Sequence, residues 1–464
     1  MGDFMDLRAR HLAAVRAHAP QAVQRLDWDR QQVVENQRQG LRRVVAHART
    51  TSPYYAARLD AVDALGLELE NLSSLPILTK DLVMQHWDDI VTDPRLSLDG
   101  VIQHLQELRK GDKANPYLFD TYYAAATGGS SGKRGVFLWD WESFVVTANI
   151  TNRLEFRSDL LDKPHHGPKR TVVICANSDV HASHFLFPAM LDPERDVQVI
   201  TASTPLQEMV QQLNEFQPDR LVGYASIVQE LAALAMDGDL QLSLNRIATN
   251  SEPLLPEARR MAQQAWGIDI HNSWGSVELG VVATEGDSFS GLTLAEDYLI
   301  FEFVDAHYQP VPAGERAERV LVTKLFGQAF PLLRYEMTDS VRLDPGINPD
   351  AEGYGCLLEI SGRNDDWFVY AQSIRIHPML FRSLLGQVPA ISEYQVHQTP
   401  QGARILVIGH GDFNVLGIQD ELEQSLAKAG LPDPQVVIQT VMHIPRHEET
   451  GKLKRFVPLE PRER

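Results

Sequence analysis

A short stretch rich in glycine and hydroxyl side chains has the composition of a loop that could wrap a triphosphate. It combines the backbone freedom of three glycines with three hydroxyls and a lysine. The spacing is not that of a Walker A loop, because no Gly-Lys-Ser/Thr follows a four-residue gap. A flexible Ser/Gly loop is the alternative. The residues concerned are Thr127, Gly128, Gly129, Ser130, Ser131, Gly132 and Lys133.

A second stretch places an aromatic side chain shortly before a carboxylate. Trp274 could stack on a purine, and Glu278 is suited to Mg²⁺. Asn272, Ser273 and Gly275 lie beside the tryptophan. Packing and solvation explain most tryptophans and glutamates on loops, so this stretch alone is weak evidence for a nucleotide site.

Polar residues at the ends of predicted strands add further candidates for nucleotide contacts. Ser251, Glu252 and Pro253 follow a strand at the edge where ligands collect in parallel sheets, although an ordinary β-α turn is equally expected. Asp339 follows another strand and could accept both ribose hydroxyls, although a solvated turn residue is commoner. Lys452 lies on a predicted loop, where its point charge suits contact with a transferring phosphate.

Two histidines and an aromatic residue follow a predicted strand, where side chains could contact a ligand. His181, His184 and Phe185 follow the strand TVVICAN, and Tyr224 lies in the strand RLVGYA. The His-x-x-His pair could be a metal fragment, but two ligands without a third are poor evidence for zinc. Histidines with a purely structural role are equally expected.

Periodicity along the chain predicts the elements that must position these residues. Helical spacing of apolar positions, among them Leu12 and Val23, predicts a helical lead-in over residues 1–60. From about 170 to 300, β-branched runs alternate with helices, which predicts β-α-β units and a parallel sheet. Residues 298–345 have the pattern of antiparallel strands joined by Pro/Gly turns.

The C-terminal part has a different pattern, and the chain is longer than one hydrophobic core usually serves. After Gly362 the order of elements is β-β-α-β. We therefore predict an α/β protein with two domains. The large N-terminal domain, 1–361, contains parallel sheets and a β-rich subdomain, and residues 362–464 form a small α+β C-terminal lid domain.

Composition narrows the classes of partner. The formal net charge of −19 would repel a phosphate backbone and an anionic membrane surface, so neither nucleic acid nor membrane is expected as a partner. Cys175 and Cys356 cannot build a disulfide framework or a four-thiolate zinc site, which favours the reducing cytoplasm. No stretch approaches the roughly 18 apolar residues of a membrane-spanning helix, and the N-terminus lacks the apolar core of a secretory signal.

The motifs, taken in order, resemble those of the adenylate-forming superfamily of acyl-CoA synthetases, and most closely its phenylacetate-CoA ligase branch. The resemblance extends from about residue 40 to the end of the chain. Besides the stretches above, it rests on SPYY (52–55), LPILTK (75–80), GL (291–292), ED (296–297), PLLRY (331–335) and GRNDD (362–366).

This resemblance implies an activity and a role for each candidate. The activity is ATP-dependent formation of an acyl-adenylate from a small, aromatic carboxylic acid with release of pyrophosphate, then transfer to CoA. ATP, Mg²⁺ and CoA are the implied cofactors. The implied roles are the phosphate loop for 127–133, the adenine pocket for 251–253, and stacking near the adenine for Trp274, with Asn272, Ser273 and Gly275 as further ATP-binding residues. The resemblance also implies the Mg²⁺ ligand for Glu278, the ribose contact for Asp339, nucleotide support for Arg363, the hinge for Asp365 and the lysine of the first half-reaction for Lys452. It places the acyl pocket near His181, His184 and Phe185, with Tyr224 as a further candidate.

Departures from the family pattern keep other acceptors open. Val277 replaces a hydroxyl residue before Glu278, and Gln372 or Ser373 replaces the glycine expected beside the pantetheine tunnel. A second hypothesis is therefore transfer of the acyl group to an amine or to a carrier-protein thiol. A nucleotide-binding pseudoenzyme is the third. The formation of a homodimer is left open.

Overall fold

The computed structural model describes residues 2–110, 115–127, 135–161, 170–176, 196–286, 289–346, 353–363, 368–371, 374–376, 379–386, 388, 390–409, 413–446 and 452–459. The chain divides into two compact units. The first unit contains residues 1–169, 177–197 and 271–360, and the second contains 170–176, 198–270 and 361–464.

Helices predominate in residues 2–109, strands and helices alternate over 196–276, and strands predominate over 270–376. The helices are α1 (Gly2–Arg25), α2 (Arg30–Thr51), α3 (Pro53–Arg58), α4 (Lys80–Gln85), α5 (Trp87–Ile90), α6 (Leu98–Arg109), α7 (Trp141–Leu161), α8 (Leu206–Phe216), α9 (Ala225–Asp237), α10 (Pro256–Trp266), α11 (Met379–Leu385) and α12 (Val415–Lys428), with a 3₁₀ helix at Leu69–Ser74.

The strands are β1 (Tyr117–Leu118), β2 (Tyr122–Ala126), β3 (Val136–Trp139), β4 (Arg170–Cys175), β5 (Asp196–Thr201), β6 (Arg220–Gly223), β7 (Arg246–Thr249), β8 (Ile270–Ser276), β9 (Gly280–Gly286), β10 (Phe289–Leu294), β11 (Leu299–Val304), β12 (Arg316–Ala317), β13 (Arg319–Lys324), β14 (Tyr335–Met337), β15 (Asp339–Leu343), β16 (Cys356–Arg363), β17 (Phe368–Val369), β18 (Arg375–Ile376), β19 (Ile391–Thr399), β20 (Gly402–Gly409), β21 (Gln435–Thr440) and β22 (Phe456–Val457).

The buried face of α1 agrees only in part with the apolar spacing. Val15 and, just after the helix, Leu26 are buried as predicted, whereas Leu12 and Val23 are only half-buried and their neighbours His11 and Ala22 are buried. The His11 ring hydrogen-bonds to the Tyr117 hydroxyl at 2.9 Å, and burial lowers its pKa to about 4. A neutral histidine among aromatic rings therefore acts as a core residue and takes the place on the buried face that was predicted for Leu12.

Glu296 and Asp297 accept hydrogen bonds from side chains of both N-terminal helices, α1 and α2. The Gln37 side chain donates to the carbonyl oxygen of Glu296 at 2.9 Å, and Arg25 donates to that of Asp297 at 3.3 Å. The Arg153 guanidinium donates to Asp297 Oδ2 at 2.7 Å, with the two side chains 3% and 0% exposed. This motif therefore has a structural function.

Breaking the buried Arg153–Asp297 pair should cost more stability than breaking an exposed pair of similar length. In Asp297→Asn the guanidinium stays buried without its counter-charge, so we expect the free energy of unfolding to fall by about 3–5 kcal/mol. The control is Asp27→Asn, because Asp27 is 65% exposed and pairs with Arg157 at 2.6 Å; it should cost less than about 1 kcal/mol. Urea-unfolding midpoints measure both, and equal midpoints would contradict the structural function of Asp297.

Antiparallel pairing dominates the sheets of the first unit. Strands β1-β2-β3 form one sheet, β11-β13-β14 form another, and β12-β15-β16-β10-β9-β8 lie side by side in a third. The pairs β2/β3, β8/β9, β9/β10 and β11/β13 are all antiparallel. The predicted antiparallel strands are confirmed over β11 and β13, but the change begins earlier than predicted: β8, β9 and β10 fall in the range predicted to be parallel and are already antiparallel, because a tight hairpin rather than a helix connects β8 to β9.

Two large hydrophobic cores lie among the described residues of the second unit, beside a small cluster of Leu406, Ile444 and Leu453. One lies among β4, β6, β7 and helices α8 to α10, where β4/β6 and β6/β7 are parallel as predicted. The other lies within the C-terminal residues, where the order β19, β20, α12, β21 follows the predicted pattern. Strand β22 was not predicted, and it adds a parallel partner to β19.

Candidate functional site

The ends of the glycine-rich loop are held together at the end of the β2/β3 hairpin. The Thr127 amide donates to the carbonyl oxygen of Gly135 at 2.9 Å, and the Gly135 amide donates to Thr127 Oγ1 at 2.8 Å. Lys80 Nζ donates to the same hydroxyl at 3.1 Å. A Cβ at position 135 would lie 2.6 Å from the Phe137 ring, so glycine is needed there. Gly128, Gly129, Ser130, Ser131, Gly132 and Lys133 lie outside the described residues.

Lys80 reaches this loop because its segment pairs with a distant motif. The Leu78 amide donates to the carbonyl oxygen of Arg334 at 3.1 Å. The Arg334 guanidinium donates to the carbonyl oxygen of Leu75 at 2.8 Å and to both carboxylate oxygens of Glu302, at 2.8 and 2.9 Å. Two motifs far apart in sequence thus form one structural unit. The contact of Lys80 with Thr127 was missed by the sequence analysis, which treated the LPILTK segment only as a family marker.

Glu278 lies at the tip of the tight β8/β9 hairpin. Two glycines allow this turn: Gly280 has φ of 79°, and a Cβ at Gly275 would lie 2.2 Å from the carbonyl oxygen of Gly280. Trp139 Nε1 donates to the carbonyl oxygen of Val277 at 2.9 Å and fixes the tip. The hairpin therefore holds the carboxylate at a defined position.

The Glu278 carboxylate is largely buried. The residue is 8% exposed, and its Oε1 accepts from the Tyr335 hydroxyl at 3.2 Å. Among the described residues, no group of three or more His, Cys, Asp or Glu side chains could hold a metal ion. One carboxylate nevertheless fits Mg²⁺ that arrives with ATP, because Mg²⁺ at such sites takes most of its ligands from phosphates and water.

Asp339 is half-buried and begins β15, directly after the strand that carries Tyr335.

Trp274 lies in the hydrophobic core of the first unit and is 5% exposed. Its neighbours Asn272 and Ser273 are half-buried, and Gly275 is exposed. The amide of Asn272 donates to Glu285 Oε2 at 2.8 Å. A buried indole presents no open ring face to a purine, so the packing alternative describes its position here. Stacking on adenine stays a prediction.

In the second unit, three residues from separate motifs come together at the carboxyl ends of parallel strands. Tyr224 follows β6, and Glu252 follows its neighbour β7. Lys452 Nζ lies 5.7 Å from the centroid of the Tyr224 ring. The Glu252 carboxylate accepts from the Leu453 amide at 2.8 Å and from the Ser226 amide at 3.1 Å. The chain segment that carries Lys452 is thus bound to the loop after β7.

The loop after β7 has an unusual backbone. Ser251 has φ of 66°, a left-handed conformation that is uncommon for serine. Its hydroxyl donates to Asn250 Oδ1 at 2.9 Å, and the Asn250 amide donates to the carbonyl oxygen of Gly223 at 3.2 Å. Pro253 is exposed. Six other described non-glycine residues also have a positive φ, so this conformation does not separate a ligand-binding loop from an ordinary turn, and the nucleotide contact stays a prediction.

Several predicted residues lie outside the part of the chain that the structure describes. They are His181, His184, Phe185, Asp365 and Gln372, together with the side chain of Arg363, whose backbone ends β16. Their roles stay predictions.

Comparisons with known proteins find relatives in the family that the motifs resemble. No protein-family profile matches the chain. Phenylacetate-coenzyme A ligases of three bacteria are similar to it; that of Pseudomonas putida is 29% identical over 201 residues, which are 41% of this chain and 44% of the relative. Protein CapK of Staphylococcus aureus is 24% identical over 311 residues, which are 65% of this chain and 61% of CapK.

The fold is that of the adenylate-forming ligases, including a separate small C-terminal domain. A 2-hydroxyisobutyryl-CoA ligase, solved in the postadenylation state with an acyl-AMP, superposes with a TM-score of 0.71 over 92% of this chain and 90% of that one, at 18% identity.

The chain spans about half the length of the Pseudomonas relative that it matches, 44%. No helix among the described residues has the length and hydropathy needed to cross a bilayer.

Proposed function

We propose that this chain, which has the fold of the adenylate-forming ligases and a sequence similar to phenylacetate-CoA ligases, is an AMP-forming acid-thiol ligase. It activates a small carboxylic acid with ATP and transfers the acyl group to CoA. The observation that carries the proposal is the position of Lys452, close to Tyr224 and beside the loop of Glu252. A lysine brought by the C-terminal segment to the carboxyl ends of parallel strands is well placed for a phosphate ligand.

The chemistry of the first half-reaction requires charge to be neutralised. A carboxylate oxygen of the acid attacks the α-phosphorus of ATP, the bond to the bridging oxygen breaks, and pyrophosphate leaves. Both reactants are anions, so the side chain of Lys452 and the hydroxyl and amide groups of the glycine-rich loop would stabilise the developing charge. Mg²⁺ would supply further neutralisation of the phosphates, with Glu278 as the residue that holds it. In the second half-reaction the CoA sulfur attacks the acyl carbon, and AMP leaves.

The finer assignments belong to the same proposal. The substrate is an aromatic acid. The nucleotide is contacted by Ser251, Pro253 and Asp339. Asp365 is the hinge of a lid domain at 362–464. A separate hydrophobic core within the C-terminal residues supports that division. The reaction would take place in the cytoplasm, where buried thiols such as Cys175 and Cys356 stay reduced.

A second candidate function keeps the adenylation and changes the acceptor to an amine or a carrier-protein thiol. Val277, where relatives have a hydroxyl residue, motivates it; the side chain is half-buried and packs against the hydrophobic core of the first unit. Incubation with ATP and the acid, with CoA omitted and an amine or a carrier protein supplied, separates the two acceptors. Acyl-CoA formed with CoA, and no amide or acyl-carrier product formed when an amine or a carrier protein replaces CoA, would support the ligase that uses CoA.

The test of adenylation itself is acid-dependent exchange of labelled pyrophosphate into ATP. A panel of aromatic and short aliphatic acids should give exchange that depends on Mg²⁺ and on at least one acid. A chain that binds ATP but exchanges with no acid on the panel would support the pseudoenzyme instead.

A further inference from the structure

A buried arginine joins the C-terminal residues to helix α9. Arg446 donates one guanidinium nitrogen to Ser226 Oγ at 2.7 Å. The other terminal nitrogen donates to Glu230 Oε1 at 2.7 Å and to Glu393 Oε1 at 3.2 Å. Ser226 and Glu230 are four residues apart and so share one face of α9, whereas Glu393 lies on β19. We call these four residues the Arg446 cluster.

The cluster is well shielded from solvent. The side chains of Arg446 and Glu393 are 13% and 4% exposed, and that of Glu230 is 26% exposed. A planar guanidinium holds its donors in a rigid fork that can span a hydroxyl and two carboxylates, whereas an ammonium is a compact point charge on a flexible stem. Without the arginine, two acidic side chains would face each other in a site from which water is largely excluded.

Further contacts join the same surfaces. The Gln229 side chain, next to Glu230 on α9, donates to the carbonyl oxygen of Ser392, next to Glu393 on β19. The Leu453 amide donates to the Glu252 carboxylate at 2.8 Å. Strand β22, which follows Lys452 and Leu453 in the chain, pairs with β19, the strand of Glu393. Strand pairing therefore fixes the position of Lys452 relative to β19. The hydrogen bonds of Arg446 in turn hold β19 against α9.

We propose that Arg446 is a positioning residue for the adenylation half-reaction, which holds the C-terminal residues on α9 so that Lys452 stays beside Tyr224. This inference rests on the proposed function. Arg446 itself would touch neither the acid nor ATP. Because its partners lie on two different parts of the second unit, its contacts exist only while those parts are together. Its removal should therefore affect the step that needs Lys452 near Tyr224, and no other.

The test separates the two half-reactions in single-turnover assays. In Arg446→Gln and in Glu230→Gln, we expect acyl-adenylate formation to slow about tenfold or more, while transfer from chemically supplied acyl-AMP to CoA stays within about twofold of wild type. Arg446→Lys keeps the charge without the planar fork, so adenylation should be intermediate. The controls are Arg404→Gln and Glu421→Gln, which remove the same charges from exposed positions of β20 and α12; both half-reactions should be unchanged.

Two outcomes would overturn the positioning role. One is adenylation within about twofold of wild type in Arg446→Gln. The other is an equal loss in both half-reactions, which would mean that the arginine only stabilises the fold. Hydrogen exchange of the backbone amides in α9 gives a readout independent of catalysis: exchange should be faster in Arg446→Gln than in wild type, and unchanged exchange would contradict the contact. If wild type itself forms no adenylate, the proposed function fails, and hydrogen exchange still decides whether Arg446 holds α9.

Discussion

Replacing Lys452 with alanine is expected to suppress acyl-adenylate formation while sparing acyl transfer from supplied acyl-AMP. The ammonium group lies 5.7 Å from the Tyr224 ring centroid, next to the loop of Glu252. Loss of one preorganised donor to a transition-state oxyanion typically costs about 10²–10³-fold in rate, about 2.7–4 kcal/mol. We therefore expect a loss of this size in the first half-reaction, measured by pyrophosphate exchange and by single-turnover release of pyrophosphate.

The matched control for this variant is Lys454→Ala. Lys454 is exposed and lies two residues away in the same segment, so it tests whether a positive charge anywhere in the segment suffices. Its adenylation rate should stay within about twofold of wild type. Normal adenylation by Lys452→Ala would show that the C-terminal motif had been misinterpreted, and equal damage to both half-reactions would argue against a lysine that acts in one state only.

Replacing Glu278 with glutamine is expected to remove Mg²⁺-dependent adenylation and leave the fold intact. The variant has the same shape, and its amide oxygen can still accept from the Tyr335 hydroxyl, which lies 3.2 Å from Oε1 in the native protein. What it loses is the negative charge that a divalent cation requires. Adenylation should be titrated against Mg²⁺, and the thermal unfolding midpoint should be measured alongside.

Two comparisons make the result specific. Tyr335→Phe removes the hydrogen bond and keeps the carboxylate, so it should lose less activity than Glu278→Gln. Glu315→Gln neutralises an exposed acid elsewhere in the first unit and should have no effect. If Glu278→Gln at saturating Mg²⁺ retained activity within about tenfold of wild type, a loss below about 1.4 kcal/mol, the metal-ligand assignment would be untenable.

Local signals predicted most of the architecture, because they depend on residues close in sequence. The alternation of β-branched runs and helices gave the order β6, α9, β7 and the parallel pairing of β6 with β7. The face of α1 was predicted less well, since the burial of His11 depends on Tyr117, a partner more than a hundred residues away. Hydropathy alone ranks a histidine as a poor core residue, so no local pattern could have indicated its position.

The candidate site was predictable to a similar extent. The motifs identified Glu252 and Lys452, and Tyr224, directly after β6, was a separate candidate, but nothing in the sequence indicated that the three would meet. Trp274 was a candidate for stacking on adenine with packing as the alternative; it lies in the core, and its contact with the nucleotide stays a prediction. Glu230 and Glu393 carried no signal at all. Their significance comes only from Arg446, which is distant from both in sequence.

The burial of Glu393 couples the position of the C-terminal residues to pH. Burial, and after it the charge of Glu230, raises the pKa of the Glu393 carboxyl, against the opposing charges of Arg446 and Arg455. In water, after separation from α9, the carboxyl would have an ordinary glutamate pKa. Between the ordinary and the raised value the associated state therefore holds more protons, so association takes up a proton and weakens as pH rises through that window, by at most about tenfold per pH unit.

The dependence of association on pH can be measured as the ratio of two adenylation rates. Glu393→Gln cannot ionise, so the adenylation rate of wild type divided by that of the variant should fall with rising pH and level off above the raised pKa. A ratio independent of pH would contradict the linkage. If it holds, each cycle of the C-terminal residues exchanges a proton with solvent, and alkaline conditions would favour the acyl-transfer state over the adenylating state although Glu393 takes part in neither reaction.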